Sequence, residues 1–99
     1  MVSITSYYGS SASAENNAKK VSIAGNHFFF SYETLVAVRD NDGTLSVIKN
    51  YWGPTTGKHL NAIDGGSKEA KAERLTQGEF DQVVEEMALS QAAKDMFIF

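Results

Sequence analysis

The sequence predicts an α+β domain, a small antiparallel sheet of about four to five strands packed against two helices at about 55–63 and 77–94. Three observations carry this. The first half of the chain is β-prone and broken at intervals by turn residues. At Gly53-Pro54 the spacing of apolar residues changes abruptly toward the helical period. The 99 residues suffice for one core and leave nothing to fill a second, so the whole of 1–99 is expected to be one domain.

Val2 to Tyr8 alternates, with Val2, Ile4 and Tyr8 on one face and Ser3, Thr5 and Tyr7 on the other, which predicts a first strand. Residues 9–18 are small and polar, too poor in apolar surface to offset their ordering entropy, and are expected to form a loop or mobile arm. A second strand follows over Lys19 to Ala24, with Gly25-Asn26 as its turn. His27 to Tyr32 places Phe28, Phe30 and Tyr32 on one face and His27, Phe29 and Ser31 on the other, as expected of the centre of the sheet. Thr34 to Arg39 and Thr44 to Tyr51 read as a hairpin closed by Asp40-Asn41-Asp42-Gly43.

Pro54 suits the first turn of a helix, and a hydroxyl of Thr55 or Thr56 is expected to cap it. Leu60 and Ile63 form its apolar stripe, Asp64-Gly65-Gly66 ends it, and Ser67 to Glu73 reads as an exposed charged connection. Thr76 and Glu79 then form a capping box, with Leu75 and Phe80 at the positions of a hydrophobic staple. In the helix that starts there, Phe80, Val83, Val84 and Met87 share the inner face, leaving Asp81, Gln82, Glu85 and Glu86 toward solvent. The apolar end Met96, Phe97, Ile98 and Phe99 is expected to pack down or to join two copies as a homodimer. No internal repeat is visible.

Composition excludes several function classes. There is no cysteine, hence no disulfide framework, thiolate metal site or cysteine nucleophile. The two histidines, His27 and His59, lack a helical i, i+4 partner, so neither metal nor cofactor is expected. Asp40-Asn-Asp42-Gly opens like a calcium loop, but Leu45 and Tyr51 stand where glycine and a bidentate acid are needed. Gly53 to His59 lacks the spacing and the hydroxyl after Lys58 that a nucleotide P-loop requires. No serine sits in a nucleophile elbow, so the protein is not expected to be an enzyme. Its longest nearly apolar run, His27 to Phe30, is far below the roughly 20 residues of a membrane span, and the start lacks a signal-peptide pattern, so a cytoplasmic protein is expected.

The net charge of −3 conceals an asymmetry: residues 1–75 carry eight basic and seven acidic side chains, whereas residues 76–99 carry one lysine and five acids. The acidic helix, through Glu79, Asp81, Glu85 and Glu86, is the first candidate for docking on a basic partner. Lys49, Tyr51, Trp52, Lys58 and His59 form the alternative, an aromatic and basic segment that suits single-stranded nucleic acid. Against that stands a structural role in which Trp52 plugs the join between sheet and helix.

The strings Phe30-Ser-Tyr32-Glu-Thr34-Leu-Val-Ala, Asn50-Tyr-Trp52-Gly-Pro-Thr55-Thr56-Gly-Lys58-His59-Leu60-Asn-Ala-Ile63 and Arg74-Leu-Thr-Gln-Gly-Glu-Phe80 carry a resemblance. Over roughly Phe29 to Val84 the chain resembles a family of small proteins of tailed bacteriophages and their prophages, whose function is unknown. The resemblance implies a phage accessory protein in a bacterial host cell. Such proteins often bind and block a host protein or defence complex, including restriction and CRISPR systems. The expected function is therefore inhibition by non-catalytic protein contact, of anti-CRISPR or other anti-defence type, with nucleic-acid binding or phage regulation as the alternative.

Overall fold

In a computed structural model the described residues are 2–8 and 17–97, with side chains of the last helix described as far as Met87. The architecture is α+β. Five strands, β1 (Val2–Ser6), β2 (Ala18–Ile23), β3 (Asn26–Ser31), β4 (Thr34–Arg39) and β5 (Leu45–Val47), are followed by helices α1 (Pro54–Asp64), α2 (Lys68–Ala72) and α3 (Gln77–Phe97). The sheet is an antiparallel meander in the order β1-β2-β3-β4-β5, so β3 is its centre.

Turn chemistry sets this order. Ala24 and Gly25, both with φ > 0 at 53° and 82°, join β2 to β3, one residue earlier than the expected Gly25-Asn26 turn. Between β4 and β5 the Asp40 carboxylate accepts from the N–H groups of Asp42 and Thr44, each at 3.0 Å, while Gly43 takes φ 90°. β5 is shorter than the expected strand because Ile48 turns to a parallel bridge with Leu75. Residues 9–16 of the expected arm lie outside the described residues, but Ala18, at its end, is fully buried and already starts β2.

Residues directly opposite one another share a face, and the register separates two sides of the sheet. Phe29, Ala37 and Val47 face one side, with Ser31 two residues along β3 from Phe29. The buried residues of α1, Thr56, His59 and Leu60, cover that side. Val36 pairs with Ile48 through the Ile48 N–H at 3.0 Å, and both face the opposite side with Val38; all three are at most 1% exposed. α3 contributes buried Phe80 and half-buried Val83, Val84 and Met87 to the core, as its helical spacing predicts. A bulge at Phe29/Phe30 gives β4 one extra residue against β3.

Of the two faces of the β1 alternation, the one continued by Tyr7 turns inward: Tyr7 is edge-on to Phe29 at 5.4 Å, whereas Val2 and Ile4 remain 59% and 66% exposed. The tyrosine ring offers more area to the core than either aliphatic side chain, and its hydroxyl finds a partner in the Phe30 carbonyl at 2.7 Å. Ser67 to Glu73 is exposed as expected, apart from half-buried Ala70, but it carries a helix: Ser67 accepts from the Ala70 N–H at 3.0 Å and starts α2. At α1 the N-cap is Gly53, which has no side chain to cap with; Thr55 and Thr56 fall inside the first turn, and the Thr56 hydroxyl is engaged in the core. The capping box of α3 is formed as expected, the Thr76 N–H donating to Glu79 Oε1 at 2.9 Å and the Glu79 N–H to Thr76 Oγ1 at 3.3 Å.

Candidate functional site

Two polar clusters and two surfaces carry whatever chemistry the chain has. The first cluster joins two of the strings singled out in the sequence. Ser31 ends the central strand and Thr56 and His59 lie one turn apart on α1, so the alternation of β3 and the period of α1 aim all three at one point. Ser31 Oγ lies 2.7 Å from His59 Nδ1 and 3.0 Å from Thr56 Oγ1. The exposures are 2% for Ser31, 6% for Thr56 and 0% for His59. Three tyrosines surround the imidazole: Tyr7, Tyr8 and Tyr32 have ring centroids 6.2, 5.5 and 5.9 Å from it.

This environment sets the charge state. Burial pushes the His59 pKa down, since an imidazolium there would lose its hydration, and pushes the Tyr7 hydroxyl up. Among the described residues His59 Nε2 has no hydrogen-bond partner, and the aromatic rings around the imidazole give it a weakly polar rather than an ionic setting. Ser31 and His59 are 2% and 0% exposed. The cluster works as a polar latch between sheet and helix. It also removes His59 from the proposed nucleic-acid segment: the expected surface of Lys49, Tyr51, Trp52, Lys58 and His59 loses its imidazole to the core.

The rest of that segment is on the surface. Lys49 and Lys58 are exposed, and Tyr51 and Trp52 are 54% and 44% exposed with rings edge-to-face at 6.0 Å. Trp52 therefore does not plug the join between sheet and helix. Leu60 and His59 of α1 are fully buried instead, and the backbone N–H of Trp52 donates to Asn50 Oδ1 at 2.9 Å.

The second cluster was not foreseen. Arg74 is 8% exposed and forms a two-pronged pair with Asp64, Nε to Oδ2 at 2.8 Å and Nη2 to Oδ1 at 3.0 Å, with Asn61 Oδ1 accepting at 3.1 Å. Burial alone would raise the Asp64 pKa, but the Arg74 guanidinium and the Gly66 N–H together hold it below the usual carboxylate range. The Asp64-Gly65-Gly66 stop marked the end of α1, but spacing does not mark Arg74, just past α2, as the partner of Asp64.

The acidic surface lies on α3. Asp81, Glu85 and Glu86 share an open, exposed face of α3 with Gly78 and Gln82, at helical i, i+3, i+4, i+7, i+8 spacing. Among the described residues none of these acids has a cationic partner within ion-pair distance; Asp81 and Glu86 accept only from Gln77 and Gln82. Glu79 stands apart from them. Its carboxylate is committed to the capping box, and the hydrogen bonds from Thr76 lower its pKa.

Met96, Phe97, Ile98 and Phe99, expected to pack or dimerise, have side chains outside the described residues. Among the described residues no group of three or more His, Asp or Glu side chains converges as a metal site, and no helix is long and apolar enough to cross a membrane.

Comparison with curated proteins and with solved structures finds no match. One family model does match, over residues 2–82 of the 99, and it spans the whole sheet, α1, α2 and the start of the acidic helix. The chain belongs to this family, which is described as a family of unknown function (DUF8033).

Proposed function

We propose that the protein is a phage accessory protein of the bacterial host cytoplasm that binds a basic surface of a host protein or defence complex, of the anti-CRISPR or other anti-defence kind, and inhibits it without catalysis. The setting rests on the resemblance of residues 29–84 to small phage proteins. The mode of action rests on one observation: Asp81, Glu85 and Glu86 share one exposed face of α3 with no cationic partner among the described residues. Unneutralised like charges on one helix face cost stability and give nothing to the fold, yet they steer and orient a basic partner.

Affinity capture from phage-infected host cells tests this. Wild-type protein is expected to retain a host protein that the Asp81→Lys/Glu85→Lys variant releases, with the thermal midpoint of the variant nearly unchanged because both side chains are exposed. Equal retention by both would reject the acidic face of α3 as the binding surface.

A second reading is favoured by the exposed Tyr51–Trp52 pair beside Lys49 and Lys58, which suits stacking on single-stranded nucleic acid. That reading expects single-stranded oligonucleotides to quench Trp52 fluorescence, with an effect that fades as salt rises. Unchanged fluorescence at low salt would eliminate it.

A further inference from the structure

We infer that the outer edge of β1 pairs with β1 of a second copy of this chain, Val2 of one opposite Ile4 of the other, joining two five-stranded sheets into one.

The two edges of the sheet are unlike. At the β5 edge Leu75 closes the ladder: its N–H donates to the Val47 carbonyl at 2.8 Å and its carbonyl accepts from Lys49 at 2.8 Å. Among the described residues no strand pairs with the outer side of β1. Sheet edges are ordinarily protected by charge, proline, a bulge or a covering segment. Val2–Ser6, reading VSITS, has no charged residue or proline, and its register with β2 runs without a break.

The phase of the hydrogen bonds identifies what fits there. The Tyr7 N–H donates to the Ala18 carbonyl at 3.1 Å, so by alternation Thr5 and Ser3 also direct their backbone groups toward β2. Val2 and Ile4 direct theirs outward. These are the residues whose side chains are 59% and 66% exposed, and Ile23, opposite Val2, is 43% exposed on the same face. A two-fold axis beside Ser3 sets Val2 and Ile4 of one copy against Ile4 and Val2 of the other. That arrangement satisfies four outward N–H groups and four outward carbonyls in four backbone hydrogen bonds and places each valine beside an isoleucine across the seam. An uncharged edge offers a charged foreign strand nothing to select it and sets up no repulsion against its own copy. So short a seam lies below the area of standard interfaces, and the dimer is expected in the micromolar range.

Sedimentation velocity of the full chain over a concentration series tests the pairing. The wild type is expected to move from monomer to dimer. Ile4→Pro removes an outward N–H while leaving the bonds to β2, and is expected to weaken association by about tenfold or more with the thermal midpoint nearly kept. Should that variant fail to fold, Ile4→Lys puts a charge at the seam and must also be monomeric at concentrations where the wild type dimerises. A chain lacking residues 96–99 is expected to dimerise as the wild type does. A wild type that stays monomeric throughout, a folded Ile4→Pro or Ile4→Lys that dimerises unchanged, or a dimer lost only on removing residues 96–99 would each overturn the inference.

Discussion

His59→Ala is expected to destabilise the fold by about 3 kcal/mol, measured as the difference in urea unfolding free energy. The ring is fully buried, so its removal leaves a cavity between α1 and the sheet. Ser31 Oγ loses its 2.7 Å partner and retains only Thr56. Most of the cost is the lost packing, because the surviving hydroxyl pair still satisfies itself. The pH dependence isolates the imidazole. Burial lowers the folded pKa of His59 below its unfolded value of about 6.5, so the unfolded chain binds the proton more readily. The stability tied to neutral His59 is therefore fully present above pH of about 6.5 and is lost as pH falls through the folded pKa. In His59→Ala that part of the slope is absent. A loss below about 1 kcal/mol with an unchanged pH slope would mean that the latch does not hold the helix to the sheet.

Asp64→Ala is expected to cost about 3 kcal/mol or more, because it leaves a guanidinium without its carboxylate in a site where the two side chains are only 6% and 8% exposed. The double variant Asp64→Leu/Arg74→Met removes both charges and is expected to recover most of that loss, since an apolar pair of similar volume avoids the desolvation penalty. The pair also sets an acid limit. The Asp64 pKa is held below its unfolded value of about 3.9, so its contribution is complete above that pH and is lost as pH falls through the folded pKa. Equal destabilisation by the single and double variants would show that the pair acts by packing alone.

The parts of the fold written in local chemistry were legible. The capping box Thr76/Glu79 locates the start of α3, and the Asp40 to Gly43 turn and the Phe29/Ser31 alternation give the hairpin and the centre of the sheet. What escaped were choices settled by tertiary competition. Thr55 and Thr56 read as caps, but α1 starts at Gly53 early enough to leave both inside its first turn, and Ser31, 25 residues earlier, engages Thr56 in the core. His59 lies at positions i+3 from Thr56 and i−1 from Leu60, within the buried stripe of α1, yet a polar residue there read as surface. Alternation left open which face of β1 is inward, and the face continued by Tyr7 wins because a large ring with a satisfied hydroxyl gains more from burial. Trp52 is the reverse case, a large aromatic expected inside and left 44% exposed.

For the candidate site, Asp81, Glu85 and Glu86 were legible because helix periodicity alone places them on one face. Glu79 belongs to the same charge cluster in sequence but not in use, since its carboxylate serves the helix end. The Asp64–Arg74 pair depends on how the chain between residues 64 and 74 folds back, a geometry that spacing does not encode.

The proposed function is tested most directly by the association rate of the captured partner with wild type and with Asp81→Lys/Glu85→Lys across a range of ionic strength. The account predicts a wild-type rate that falls steeply with salt and a variant rate that is slower at low salt and nearly independent of it. Identical rates and identical salt dependence for the two proteins would contradict it.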